Sequence, residues 1–554
     1  MGEVIRTRRD IRDLKCECGR SSEHEKDCKL MELDNLVWAF DAIQKLDPDD
    51  PDSFFVIAGY HGQPFRGAGY SNASWWGGYC NHGNILFPTW HRAYLLRLEK
   101  ALQAHARPGA VIALPYWNET EQRSLVEGIP KIFLDKEYKF TTFSASDNKT
   151  IRNPLFSYKF QVGITDRLKP NPGANYTKPV DYETVRFPFS GLVSTPHDTK
   201  DTLFHNKEMH DLGEDETNRM LNGNVTTWLN CSHFKNSDGE LVEAGVSDKF
   251  NECLKAPNYT VFSNTTSAQR WNDDHLSKKN PEPVVSLESP HNSIHLAIGG
   301  FQVPGHRNYD QIAGANGDMG ENDTAAFDPI FFFHHCFIDF IFWKWQVWKG
   351  KTESLDIIQG YPGTNSVDNQ GPTPGVAGGT WLTLDSPLDP FKHSDLPPDR
   401  FDDPKKATTS NDVVNIEQLN YEYHPRPEPP LMFPIAQKVP FLTVSNIDRA
   451  KIAGSFVVSA WAGSENGDKI LVGTEAVLSR WQVTGCQNCQ NHLDVRVHIP
   501  MEGWSRNEAK KMTFEALVHT RTPRDDRDGG IPQPGALNPI IKLGTHHLDH
   551  QASL

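Results

Sequence analysis

Histidine is the residue type through which this sequence could do redox chemistry. It contains 23 histidines, and six fall into two groups far apart in the chain. The first group is His61 in AGYHG, His82 in YCNHG and His91 in FPTWHR. The second is His291 and His295 in SPHNSIH, then His335 in FFFHHCFID. Residues four apart share one face of a helix, so His291 and His295 can aim both imidazoles at one point. Three imidazoles per metal, with open positions between two metals, suit a redox-active ion such as copper or iron. A magnesium or calcium site would be built from oxygens. One HxxxH alone is weak evidence; the joint pattern of six carries the reading. His334 stands beside His335, and the residues alone leave open which of the two binds.

Three amphipathic or apolar segments must position these rings. Residues 29–46 and 90–105 carry apolar residues at three- and four-residue spacing, which predicts helices, the second opened by His91. A third helix is predicted from Pro329, with Asp328 as cap and Pro329 at its first position. It is apolar nearly all round, which predicts a place at a domain centre. Residues 140–280 show little period and read as long loops with short helices. The segment 359–379 is rich in Gly and Pro and reads as a surface loop. YHPRPEPPLMFP at 423–434 reads as a linker. Beyond it, SFVVSAWAG, KILVGTEAVLSRW, LDVRVHIPM and TFEALVHTRT are short and β-branched, predicting a small antiparallel domain.

The bulk properties exclude several classes. With 554 residues the chain exceeds one ordinary core. Hydrophobic residues at 37% and charged ones at 23% fit a soluble globular protein. There is no apolar run long enough to span a membrane. The net charge of −15, without a basic stripe, argues against nucleic acid as partner. The nine cysteines are odd in number and scattered, unlike a disulfide scaffold. The start lacks a signal-like apolar stretch, which favours an intracellular protein. Nine glycosylation sequons, at Asn72, Asn118, Asn148, Asn175, Asn224, Asn230, Asn258, Asn264 and Asn322, argue the other way. A homo-oligomeric assembly stays open.

CNHGNILFPTWHRAYLLRLE at 80–99 resembles the first copper signature of tyrosinases, catechol oxidases and molluscan hemocyanins, and DPIFFFHHCFID at 328–339 resembles the second. Residues 53–95 are especially similar to fungal tyrosinases. This type-3 copper resemblance implies a mainly α catalytic domain (1–425) with a four-helix bundle holding a dicopper site. A Pro-rich linker (426–434) and a smaller C-terminal β-sandwich-like domain (435–554) would follow. It implies two copper ions, with His61, His82 and His91 on the first and His291, His295 and His335 on the second. His334 becomes a hydrogen-bonded neighbour. Asp339 could steady the His335 ring, or else serve as a buried partner for Arg or Trp. Cys80 would be joined to His82 by a thioether; otherwise it is a buried thiol.

The same resemblance implies oxidation of phenolic substrates, monophenols and o-diphenols, to o-quinones with dioxygen, feeding pigment or defensive polymers. Glu288 and Asn292 would hold a water that accepts the phenol proton, with Glu282 as a lesser alternative to Glu288. Loop 317–327 would border the substrate entrance near Asn322; its Asp318, Glu321 and Asp323 read as solvated, or as tuning substrate charge. The C-terminal domain would keep the enzyme latent until cut near the linker, after LNYEY at 419–423. Its Leu478 or Trp481 would plug the pocket, and Cys486 and Cys489 would deliver copper or idle as a thiol pair. Cys16, Cys18 and Cys28 form no complete metal site. The rival readings are a catechol oxidase or o-aminophenol oxidase, a hemocyanin-type oxygen carrier, and a zinc or iron hydrolase.

Overall fold

The computed structural model describes residues 5–14, 30–64, 78–141, 149–165, 177–193, 196–231, 234–242, 244–275, 283–304, 316–365, 380–397, 401–430, 439–452, 454–463, 469–480, 493–520 and 539–544. Its first two thirds are helical. The predicted first helix forms as α1, Leu30–Gln44. A short α2, Phe54–Gly59, follows, capped by the Ser53 hydroxyl accepting the Val56 N–H. The second predicted helix begins earlier than expected, as α3, Phe87–Ala104, with Pro88 in its first turn. The stretch read as long loops with short helices holds such short helices, among them Val246–Cys253 and Tyr259–Ser263, but also two substantial ones, Pro196–Leu212 and α4, Glu214–Asn230. The polar buried stripe of the first masks its helical period in the sequence, and Gly213 separates the two with φ 89°.

The centre is built by α3, α5 (Glu288–Gly299) and α6 (Ile330–Lys349). Every residue of α5 is buried, and α6 is buried from Ile330 to Trp343. Such burial on all sides explains why α6 is rich in Phe, Ile and Trp. The helix starts one residue later than expected, with Pro329 as the cap residue, although the Asp328 carboxylate still accepts the Ile330 N–H at 3.2 Å. Gly300 and Gly350 end α5 and α6 in the left-handed region, at φ 107° and 64°.

Charged side chains lock this core. Strand β1 (Arg6–Arg8) pairs in parallel with β2 (Tyr421–Tyr423), inside the LNYEY motif. Arg8 then reaches Glu99 of α3 at 3.0 Å and Asp339 of α6 at 3.2 Å. Asp339 also accepts from Arg92 Nε at 2.6 Å and from the Tyr421 and Tyr423 hydroxyls at 2.8 and 2.6 Å. Asp339 therefore does not steady His335. It balances two buried arginines, which was the alternative expectation for it.

The C-terminal part forms two three-stranded antiparallel sheets, as the β-rich reading expected. One contains β3 (Phe441–Asp448) between β6 (Asp494–Pro500) and β8 (Ile540–Gly544). The other contains β4 (Phe456–Gly463) between β5 (Lys469–Val477) and β7 (Thr513–His519). Leu442, Val444, Phe456, Val458 and Ile499 fill a core of their own. Val457, Leu471, Ala476 and Leu478 instead join the helical core. No described helix is long and apolar enough to cross a membrane. Three sequon asparagines, Asn224, Asn264 and Asn322, are buried, so the folded chain leaves no room there for a sugar.

Candidate metal centre

The six predicted histidines converge. His61 follows α2, His82 lies in the loop before α3, and His91 sits on α3. Their ring centroids are 5.3 to 5.8 Å apart. His291 and His295 project from one face of α5 toward His335 on α6. The His335 Nε2 lies 3.3 Å from His291 Nε2 and 3.4 Å from His295 Nε2. Imidazole nitrogens at about 2.0–2.1 Å from a tetrahedral metal stand roughly 3.3–3.4 Å from each other, so this triad has the spacing of a ligand set. The two halves touch: His335 stacks on His91 at 4.3 Å, and His82 meets His291 at 5.6 Å.

Hydrogen bonds fix which nitrogen faces inward. His91 Nδ1–H donates to the Phe87 carbonyl at 2.8 Å, and His295 Nδ1–H to the Met319 carbonyl at 2.9 Å. His291 Nδ1–H donates to Asn292 Oδ1 at 3.0 Å. Each bond leaves an Nε2 lone pair for a metal. Buried Nε2 atoms of His61, His82 and His91 have no hydrogen-bond partner among the described residues. Burial pushes the pKa of all six rings down, that of His91 to about 3. The rings are thus neutral, the form that binds metals.

His334 turns aside. Adjacent residues on a helix point about 100° apart, and its Nδ1 bonds Glu119 Oε1 at 2.5 Å with both side chains fully buried. Its ring nitrogens still lie within 4.8 Å of the ligand atoms of the other three. Burial raises the Glu119 pKa and lowers that of His334 to about 3. Glu119 escaped the sequence reading because NET looks like a surface sequon.

Cys80 Sγ lies within 4.8 Å of ring nitrogens of both His61 and His82. Glu288 links the halves of the site: Oε1 accepts the Gly83 N–H at 2.8 Å, next to His82, and Oε2 accepts the Thr265 N–H and hydroxyl at 2.9 and 3.0 Å. Burial raises its pKa, while these bonds and the charge of Arg449 act against the rise. Loop 317–327 is buried, contrary to its reading as solvated. Asp318 pairs with Lys178 at 3.2 Å, and Asp323 with Arg480 at 2.7 Å. The polar look of the loop misled because Asp318 and Asp323 are matched by cations far away in sequence. Met319 of this loop reaches His295 because α5 and the loop touch through two glycines: a Cβ on Gly299 would lie 2.2 Å from the Gly320 Cα.

Leu478 is buried against the helical core. Trp481, Cys486, Cys489, Glu282, Cys16, Cys18 and Cys28 lie outside the described residues. Among the described residues of VLSRW, Arg480, which the sequence reading passed over for its neighbours, reaches the site. Its Nη2 lies 3.4 Å from the His61 carbonyl oxygen and 3.9 Å from Cys80 Sγ.

Comparison with known proteins agrees with this geometry. Residues 51–347 match the common central domain of tyrosinase. The chain is 46% identical to a tyrosinase of Aspergillus oryzae, over 90% of this chain and 92% of that protein. It is 43% identical to the tyrosinase HcTyr2 of a Hahella species, over 96% of each. Among solved structures, a tyrosinase from Burkholderia thailandensis at low pH superposes with a TM-score of 0.78 and 42% identity, over 97% of this chain and all of that one. An oxygen-bound mutant of Aspergillus oryzae pro-tyrosinase shares the fold at TM-score 0.62 and 18% identity, over 98% and 93% of the two chains.

Proposed function

This chain belongs to the tyrosinase family of copper oxidoreductases, and on that premise we propose that it oxidises monophenols and o-diphenols to o-quinones with dioxygen, in a form kept latent by its C-terminal part. The observation that carries the proposal is the convergence of six imidazoles, five of them buried and that of His82 half-buried, with their pKa values pushed down. His61, His82 and His91 would hold one copper and His291, His295 and His335 the other, with a Cys80–His82 thioether restricting one ring. When bound, the copper pair supplies dioxygen activation and takes electrons from the phenol.

The chain supplies the rest. A phenol has a pKa near 10, so a base must take its proton at neutral pH. A carboxylate has about four acceptor positions. Three donors occupy those of Glu288, leaving one for a water shared with the Asn292 amide. Asn292 also holds the His291 ring through its Oδ1. Phe331, whose ring lies 4.0 Å from that of His335, and Phe87, 4.9 Å from that of His291, keep water from the ligand rings. Cys486 and Cys489 are the thiols we assign to copper delivery.

The reading is tested by loading the chain with copper, nicking it near residues 426–434, and following oxygen uptake with catechol and with a monophenol. Sustained uptake on both supports it. Catechol uptake alone favours a catechol oxidase, and reversible oxygen binding without turnover favours a carrier. Zinc or iron in the purified protein would point to a hydrolase.

A further inference from the structure

The carbonyl that orients His295 belongs to Met319, and the residue before it, Asp318, is clamped on every side. The Asp318 side chain is 0% exposed and that of Lys178 is 2%. Asp318 Oδ1 accepts from the Thr324 hydroxyl at 2.9 Å and faces Lys178 Nζ at 3.2 Å. Its Oδ2 accepts from the Val185 N–H at 2.8 Å and from the Tyr182 hydroxyl at 2.5 Å. A carboxylate has about four acceptor positions, and these donors occupy them. The main chain doubles the grip, since the Asp318 N–H donates to the Val185 carbonyl at 2.8 Å. Lys178, Tyr182 and Val185 all belong to one segment outside the ligand helices, residues 177–193. That segment braces itself: Lys178 Nζ donates to the Gly191 carbonyl at 2.6 Å and to the Tyr182 hydroxyl at 3.1 Å. Two glycines make the close approach possible. A Cβ on Gly191 would lie 2.2 Å from the Tyr182 hydroxyl oxygen, and one on Gly317 would lie 2.9 Å from the Arg186 Cα.

We propose that Asp318, braced by Lys178 and Tyr182, is a positioning residue of the second metal set: it fixes the Met319 carbonyl, and that carbonyl holds the His295 ring with Nε2 toward the metal. The inference rests on the dicopper part of the phenol-oxidase reading and deepens it by naming what keeps one of the two sites in shape. A carbonyl that receives the ring N–H of a ligand histidine fixes its tautomer, orients the ring and raises its basicity toward a metal. Loss of the clamp frees Asp318 to rotate, and the Met319 peptide that follows turns with it. The first set is oriented by other groups, His91 by the Phe87 carbonyl and the turn after His82 by Glu288. Release of Asp318 is therefore felt at one metal and not at the other.

The test uses the full, copper-loaded chain, dialysed against a chelator, and reads copper per chain together with electron paramagnetic resonance. Two copper(II) ions held close together couple and give no signal, whereas a lone copper(II) gives one. Asp318→Asn keeps the size of the side chain but turns one acceptor into an NH2 group that faces donors. Retention of the second copper is expected to weaken about 10- to 100-fold, leaving one copper per chain and a lone-ion signal. His295→Ala added to Asp318→Asn should then cost no further copper, while His61→Ala added to it should remove the remaining ion. Both coppers retained as in the parent, both lost together, or a further loss on adding His295→Ala overturns the positioning role. Should Asp318→Asn fail to fold, Tyr182→Phe decides, since it removes a single donor. It should weaken the second copper alone, by less; unchanged retention, or equal weakening of both coppers, overturns the role. A parent chain that binds fewer than two coppers overturns the dicopper reading, and the positioning role falls with it. A parent that binds two but leaves catechol untouched after nicking overturns phenol oxidation, and the copper readout still decides the role of Asp318.

Discussion

Replacing Glu288 by Gln separates two roles that one carboxylate combines. Glu288 receives three hydrogen bonds, from the Gly83 N–H, the Thr265 N–H and the Thr265 hydroxyl. Glutamine keeps one carbonyl oxygen. If that oxygen faces Thr265, the amide NH2 meets the Gly83 N–H, donor against donor. A hydrogen bond to a charged group is worth about 1.5–3 kcal/mol, and an unsatisfied buried donor costs about 1–3 kcal/mol. Burial raises the pKa of Glu288, so removing its charge recovers part of the desolvation cost. A net loss of about 2–4 kcal/mol is expected, concentrated on the turn that carries His82. If half of it reaches the first metal, copper retention against a chelator weakens by roughly 5- to 30-fold, at about 1.4 kcal/mol per factor of ten.

The proton role predicts something different. General-base catalysis contributes about 10²–10⁴ in rate, and only the monophenol reaction needs it fully. With rates normalised to bound copper, Glu288→Gln should lower monophenol turnover about 100-fold and catechol turnover less than about threefold. Steady-state oxygen uptake on the two substrates, beside copper analysis, measures both effects. Equal normalised losses on both would remove Glu288 from the proton step. Undiminished copper retention would remove it as the tie between the two halves.

Asp339→Ala leaves Arg8 and Arg92 buried without their shared acceptor, at a cost of about 3–5 kcal/mol. Calorimetry should show the thermal midpoint falling by about 3–4 °C in a chain of 554 residues; a shift under about 1 °C would contradict the network. Gly299→Ala forces a Cβ into Gly320 and pushes the Met319 carbonyl away from His295, costing about 1–3 kcal/mol; chelator competition should show weaker copper retention, and unchanged retention would mean that the loop yields without cost. Asp273 bonds His498 at 3.1 Å and Arg496 at 3.1 Å across to β6. Burial would raise its pKa, but these bonds outweigh it and hold the carboxyl below its ordinary value. Its contribution is therefore full above the ordinary carboxylate pKa, near 3.9, and is lost as pH falls through the lower folded value. Asp273→Asn should lower the thermal midpoint at pH 6 and converge with the parent below about pH 3; a deficit constant with pH would refute the pairing.

The legible parts were those written in side-chain pattern. The spacing of His291 and His295, the apolar run of α6 and the alternating segments after residue 440 each state their structure locally. What stayed hidden depends on partners distant in sequence. Asp339 lies one helical turn from His335, a spacing that fits a ring-steadying carboxylate, yet Arg92 and Arg8 claim it from 247 and 331 residues away. Glu119 reads as a surface acid, and only the fold sets it against His334. The Met319 carbonyl that orients His295 is a backbone group, which no residue type announces. Helix Pro196–Leu212 was missed because its buried stripe of Asp198, Thr202, His205 and Met209 is mostly polar, whereas α4 does carry an apolar period through Met220, Leu221, Val225 and Trp228 that the reading passed over.

The contacts of the C-terminal part can be weighed against what the proposed removable shield would require. A shield held only by a large apolar core could not leave without exposing that core to water. Here Val457, Leu471, Ala476 and Leu478 contribute apolar contact, and polar ties are added to it. Lys249 meets Glu475 at 2.6 Å, the Ser455 hydroxyl donates to the Gly320 carbonyl at 2.9 Å, and Arg480 meets Asp323. Polar groups regain water when separated, so the Lys249–Glu475 and Ser455–Gly320 ties contribute little net stability while their geometry is strict, whereas the buried Arg480–Asp323 pair separates cheaply only if both charges reach water. Such an interface fixes one docked position without making departure prohibitive. Two of its ties, through Gly320 and Asp323, land on the loop whose Met319 orients His295. If the C-terminal part acts as the proposed shield, its undocking would bear on the same backbone that sets a metal-facing ring, through loop 317–327.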